Sequence, residues 1–169
     1  MRANASGKIV VVGVGNELLK DEGVGVHVAR ALQELSPPGG VEMEVIDGGT
    51  LPDVILSFGD AGKLIIVDAV KTGAVPGSVY RFRSGDLTLE NKALTSIHEV
   101  SLLENLWLME KFSRSPEDVV IIGIEPEDMS WGLELSAKLQ QKIPHIIKLV
   151  LEEASSEYAY KLEKGGQEL

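Results

Sequence analysis

Three short apolar runs do most to limit what this chain can fold into: Ile9-Val10-Val11-Val12, Leu64-Ile65-Ile66-Val67 and Val119-Val120-Ile121-Ile122. Each is rich in β-branched residues and has no polar residue on either side of the pleat. Strands of that kind have two faces to bury, the situation in a parallel sheet covered by helices on both sides. The intervening segments have the periods to supply such helices. Val24, Val28, Ala31, Leu32 and Leu35 keep helical spacing until Pro37-Pro38-Gly39-Gly40 stops it. Val100 to Met109 carries a Leu102, Leu103, Leu106, Trp107 face. Leu135, Leu139, Ile143, Ile147, Val150 and Leu151 mark a last helix, and Pro144 within it predicts a kink or two abutting helices.

Weaker signals fill the gaps. Val41 to Ile46 alternates acidic and apolar residues as a second strand, and Leu51 to Phe58 reads as a short helix. Ser78 to Arg83, behind the turn Pro76-Gly77, alternates basic and apolar residues as an edge strand of antiparallel sense. The alternation of strands and helices predicts an α/β fold. We expect a three-layer α/β/α sandwich around a mostly parallel sheet of about five strands, with one antiparallel edge strand.

The length of 169 residues suits one domain with a core large enough to need no staple. We expect residues 1–169 to form a single domain, with about 1–7 and 155–169 frayed. There is no cysteine, which removes disulfides, thiolate metal sites and a cysteine nucleophile. A net charge of −10 repels phosphate backbones, so nucleic acid is not an expected partner. The polar start Met1 to Lys8, followed by only four apolar residues, makes neither a signal peptide nor a membrane span. A cytoplasmic monomer away from membranes is the expectation.

In open α/β sheets ligands gather beyond the carboxyl ends of the strands. Several polar residues reach that edge. Asp21 and Glu22 sit between the glycine-rich loop Gly13-Val14-Gly15-Asn16 and the first helix, where carboxylates are favoured and a plain helix cap is the simplest role for either. Asp47 ends the second strand ahead of Gly48-Gly49-Thr50, the usual place of a turn residue. Asp68 ends the apolar run Leu64 to Val67, which puts a carboxylate on the sheet rim. Ser96-Ile97-His98-Glu99 fits a capping box, so His98 opens a helix in a position that disfavours its charged form and leaves a neutral imidazole for a metal. His27 and His145 lie on helix flanks and are given no role. Glu22, Asp68 and His98 therefore converge on one rim: two carboxylates and an imidazole, an incomplete shell that suits a divalent cation with positions left for substrate or water. A dinucleotide site using Gly13, Gly15 and Asp47 is an alternative, weakened by Leu18 where the third glycine belongs.

The same residues carry a family resemblance. Gly13-Val14-Gly15-Asn16, Leu19 and Asp21-Glu22-Gly23-Val24-Gly25 resemble the opening motif of the hydrogenase maturation endopeptidases. The likeness continues through Asp47-Gly48-Gly49-Thr50, Ile65-Ile66-Val67-Asp68-Ala69, Pro76-Gly77, Ser96-Ile97-His98, Gly123-Ile124-Glu125-Pro126 and Gly132-Leu133-Glu134-Leu135-Ser136. It implies an endopeptidase that removes a C-terminal peptide from the large-subunit precursor of a nickel–iron hydrogenase after nickel insertion. The family's metal-contacting residues fall on Glu22, Asp68 and His98, which become the expected catalytic and nickel-contacting set. Asn16 and Asp47, in the first two motifs, are expected to contact substrate. The nickel is expected to arrive with the substrate, with no permanently bound metal. A non-cleaving nickel-dependent chaperone of the large subunit is the nearest alternative, and a nucleotide-binding oxidoreductase a more distant one.

Overall fold

A computed structural model describes the backbone of residues 7–50, 52–83, 97–112 and 115–165, with side chains except those of 52–54, 97–103, 112 and 156–165. Among the described residues five strands are present: β1 (Ile9–Val14), β2 (Met43–Gly49), β3 (Lys63–Ala69), β4 (Val79–Arg83) and β5 (Asp118–Ile124). They form one sheet in the order β2-β1-β3-β5-β4. The first four in that order are mutually parallel, and β4 runs antiparallel along the edge of β5. Both the mostly parallel sheet and its antiparallel edge strand agree with the sequence. The strands expected to be buried on both faces are so: β1 is buried at every position and β3 at all but its last.

Among the described residues the α-helices α1 (Val24–Gln33), α2 (Ile97–Phe112) and α3 (Ala137–Gly165) and the 3-10 helix Pro52–Phe58 cover the sheet. Side-chain alternation divides its apolar residues into two clusters. Val11, Ile65, Val67, Val120 and Ile122 pack with Val24, Val28 and Leu32 of α1 and Leu139, Ile146 and Val150 of α3. On the other face Val10, Val12, Leu64, Ile66 and Ile121 pack with Ile55 and with Met109 of α2. These are the two outer layers of the sandwich. The last helix is a single run through Pro144 to Gly165, not two helices.

The strand order contains a topological switch. From β1 the chain crosses through α1 to β2 on one side of it, and β3 lies on its other side. The following segments take opposite faces, α1 on one and α2 on the other. Chain segments that diverge beyond two adjacent parallel strands leave a crevice between them. Glu22 follows β1 and Asp68 closes β3, so the two acids flank that crevice.

Candidate active site

Asp68 is 3% exposed and pairs in register with Gly123 of β5. Its Oδ1 accepts the N–H of Ala69 at 2.8 Å. Ile65 and Val67 belong to the face under α1 and α3, and Leu64 and Ile66 to the face under α2. The same alternation sends Asp68 to the α2 side, toward the helix whose second residue is His98. Only five residues separate Phe112 from Asp118, which keeps the end of α2 near the start of β5. A helix of 16 residues spans about 24 Å, long enough to reach from there to the opposite edge, that of Asp68. The side chain of His98 lies outside the described residues, as does Ser96 of the expected capping box. Among the described residues no three His, Cys, Asp or Glu side chains gather as a metal set.

Glu22 sits, half-buried, in the 3-10 turn Lys20–Gly23 that leads into α1. The glycines around it bring this turn onto the strand ends. A Cβ on Gly25 would stand 2.1 Å from the carbonyl oxygen of Val67, the residue before Asp68, and one on Gly13 would stand 2.0 Å from that of Gly25. Gly15, at φ +151°, lies so close to the turn that its Cβ would meet the oxygen of Glu22 at 2.1 Å. These glycines serve close contact between the loop, the start of α1 and the ends of β1 and β3. That accounts for the motif without a bound pyrophosphate, and for a leucine at position 18.

Asp21, read from sequence as a cap, turns out to be an anchor. It is fully buried, and its carboxylate accepts three backbone N–H groups from the segment between β5 and α3: Glu127 and Asp128 at 2.9 Å each and Ser136 at 2.7 Å. Its own N–H donates to the oxygen of Asp128 at 3.0 Å. Beside it Leu19 and Gly132 form a parallel bridge, with Lys20 N–H on the Gly132 oxygen and Gly132 N–H on the Leu18 oxygen, both at 2.9 Å. Lys20 takes a left-handed conformation (φ +44°), a local cost held in place by that bridge and by an ion pair to Asp128 at 2.7 Å. The pair, with the hydroxyl and N–H of Ser130, holds the Asp128 carboxyl well below the usual carboxylate range. Ser136 then caps α3, its carbonyl accepting from Gln140 and its hydroxyl from Leu139.

The two expected substrate contacts are engaged within the chain. Asn16 Oδ1 accepts the N–H of Leu18 at 3.0 Å. Asp47 takes the N–H of Gly49 and the Nε of Arg30, each at 3.0 Å, while the other end of Arg30 grips both oxygens of Glu17. Arg30 thereby ties the loop after β1 to the end of β2 and lowers the pKa of Glu17. Glu125 belongs to the motif Gly123-Ile124-Glu125-Pro126. It is 2% exposed and gathers the loop after β3, accepting the N–H groups of Thr72 and Gly73, the Thr72 hydroxyl and, more loosely, the Tyr80 hydroxyl. The signal that picked out Asp68, an acid completing an apolar strand, is present at Glu125 too.

The fold is not peculiar to the chain. A family model described as hydrogenase maturation protease matches residues 26–153. The chain belongs to that family. Among its relatives, the hydrogenase expression/formation protein HupD of Bradyrhizobium diazoefficiens is 31% identical over 147 residues, 84% of this chain and 75% of that one. The hydrogenase 2 maturation protease of Escherichia coli is 28% identical over 148 residues, 85% of this chain and 88% of its own. Among solved structures, the hydrogenase maturating endopeptidase HybD from E. coli superposes with a TM-score of 0.76 at 27% identity, covering 89% of this chain and 93% of that one. The fold and the peptidase class follow from these matches.

Proposed function

We propose that this protease removes the C-terminal extension from a nickel-loaded hydrogenase large-subunit precursor, and that Glu22, Asp68 and His98 grip the substrate's nickel. One observation carries the reading. Glu22 and Asp68 flank the switch-point crevice, and Asp68 belongs to the sheet face under the helix that His98 opens. Two carboxylates and an imidazole offer three ligands and leave positions open for groups that come with the precursor. Nickel is here part of the substrate and not a resident of the enzyme.

The ion would polarise the scissile carbonyl and make an attacking water more acidic. Water oxygen adds to the carbonyl carbon, the C–N bond breaks, and the water's proton passes through a carboxylate of the site or His98 to the leaving amine. A precursor without nickel gives the two carboxylates no cation to bind and is left uncut, so the metal acts as a checkpoint. The relatives' maturation role and the named E. coli protease support this substrate. The absence, among the described residues, of a helix able to cross a membrane is compatible with it.

The test is processing in vitro of nickel-loaded and nickel-free precursor, followed by mass spectrometry of the product's C-terminus. Only the loaded form should lose its extension, and Asp68→Asn and His98→Ala should each slow cleavage at least about a hundredfold. Wild-type rates in both variants would remove these residues from the mechanism.

A further inference from the structure

The segment between β5 and α3 has an unusual combination of rigidity and exposure. It is held by the Asp21 carboxylate at Glu127, Asp128 and Ser136 and by the Leu19–Gly132 bridge. Yet it turns large apolar side chains outward: Trp131 is 78% and Leu133 64% exposed, and Leu18, across the bridge, is 50% exposed. Flexible loops expose apolar groups because nothing fixes them. Here the backbone is fixed and the side chains flanking the bridge stay in water, in a chain whose net charge is −10 and with the acids Glu127, Asp128 and Glu134 alongside. Apolar residues grouped within a polar rim are the mark of a protein-binding surface, and exposed tryptophan is the residue most often found to dominate one.

We infer that Leu18, Trp131 and Leu133 form the docking face for an apolar segment of the precursor protein. The inference rests on the function proposed above and names a second place where the enzyme holds that substrate. The occupant follows from continuity with the site. Leu18 and Leu19 run directly into the turn that carries Glu22, and Asp21, the residue before Glu22, holds the opposite side of the loop. A chain bound on this face is in register with the ion-binding crevice, because one buried side chain ties the two together. A second copy of this protein, the other candidate occupant, would cover the approach to Glu22.

The experiment compares wild type, Trp131→Ser, Leu133→Ser and the double variant, with Leu35→Ser as control. Leu35 is comparably exposed, at 47%, but follows the end of α1 at the far edge of the sheet. KM and kcat are measured with nickel-loaded precursor, and direct binding by titration calorimetry with loaded and unloaded precursor. The expected result is a rise in KM and in Kd of roughly 10- to 30-fold in the rim variants. Their kcat should stay within about threefold of wild type, and Leu35→Ser should match wild type throughout. Unchanged KM and Kd in the double variant overturn the proposal. So does a wild-type dimer, seen by sedimentation, that Trp131→Ser dissociates without a change in KM. If wild type cuts nickel-free precursor equally well, the nickel reading fails, while the rim variants' KM and Kd still decide the docking face.

Discussion

At the scale of single residues, adjacent acids in this chain have different work. Asp21 is sealed from solvent and holds backbone N–H groups of a distant segment; Glu22, one position on, is half-buried in the same turn. Removing the Asp21 carboxylate leaves three N–H groups without their charged acceptor. Each such bond contributes roughly 1.5–3 kcal/mol, and relaxation of the loop toward water recovers part of the sum. Asp21→Ala should therefore lower stability by about 2–4 kcal/mol in denaturant titration, and Asp21→Asn, which keeps one oxygen acceptor, by about half that. A loss under about 0.5 kcal/mol in Asp21→Ala would contradict the anchoring role. Sequence alone could not separate these neighbours. Both are acids near a helix start, and what distinguishes them is a segment more than a hundred residues away.

At the scale of elements, the two edges of the sheet are built differently. The carboxyl edge carries loops and the site. The amino edge carries a cluster of ion pairs around one buried lysine: Lys63, 2% exposed at the start of β3, contacts Glu153 of α3 at 2.7 Å and Asp118 of β5 at 3.2 Å. Arg81 of β4 closes on both oxygens of Glu153 at 2.6 and 2.7 Å, and Arg83 meets Asp118 at 2.5 Å. Hydrogen bonds from Arg81 and then Lys63 outweigh burial and hold the Glu153 carboxyl down at about 2. A carboxyl group with a depressed folded-state pKa stabilises the fold above its unfolded pKa of about 4.5, and the contribution disappears as pH falls toward 2. With allowance for the partly exposed Arg81, the effect is on the order of 2 kcal/mol. Wild type should lose that much between pH 5 and 2, whereas Glu153→Gln should show a correspondingly flatter profile; parallel curves would exclude the assignment. None of this was legible beforehand. Lys63, Arg81 and Glu153 carry no local signal of pairing, since nothing nearby in the chain says that a helix will close over a strand's first residue. The apolar runs were legible because a strand buried on both faces has to be apolar at every position, whatever its neighbours.

For the molecule as a whole, the parallel sheet, its antiparallel edge strand and the helices on both faces could be read from period and composition. The strand order could not, although the order is what makes the β1/β3 crevice. The edge rule selected Glu22 and Asp68 without it, because both follow strands whose carboxyl ends share one side in any parallel arrangement. Asn16 and Asp47 were chosen by motif, and their visible work is internal, holding a turn and the Arg30 bridge. The central claim is that Glu22, Asp68 and His98 meet around a visiting nickel ion. Its most direct test is anomalous diffraction at the nickel edge from crystals of the protein soaked in a nickel salt. The account predicts one peak at the mouth of the β1/β3 crevice, about 2.0–2.2 Å from a carboxylate oxygen of Glu22, one of Asp68 and a ring nitrogen of His98. A peak bound elsewhere with these three side chains unmoved, or an imidazole at 98 turned away from both acids, would contradict it.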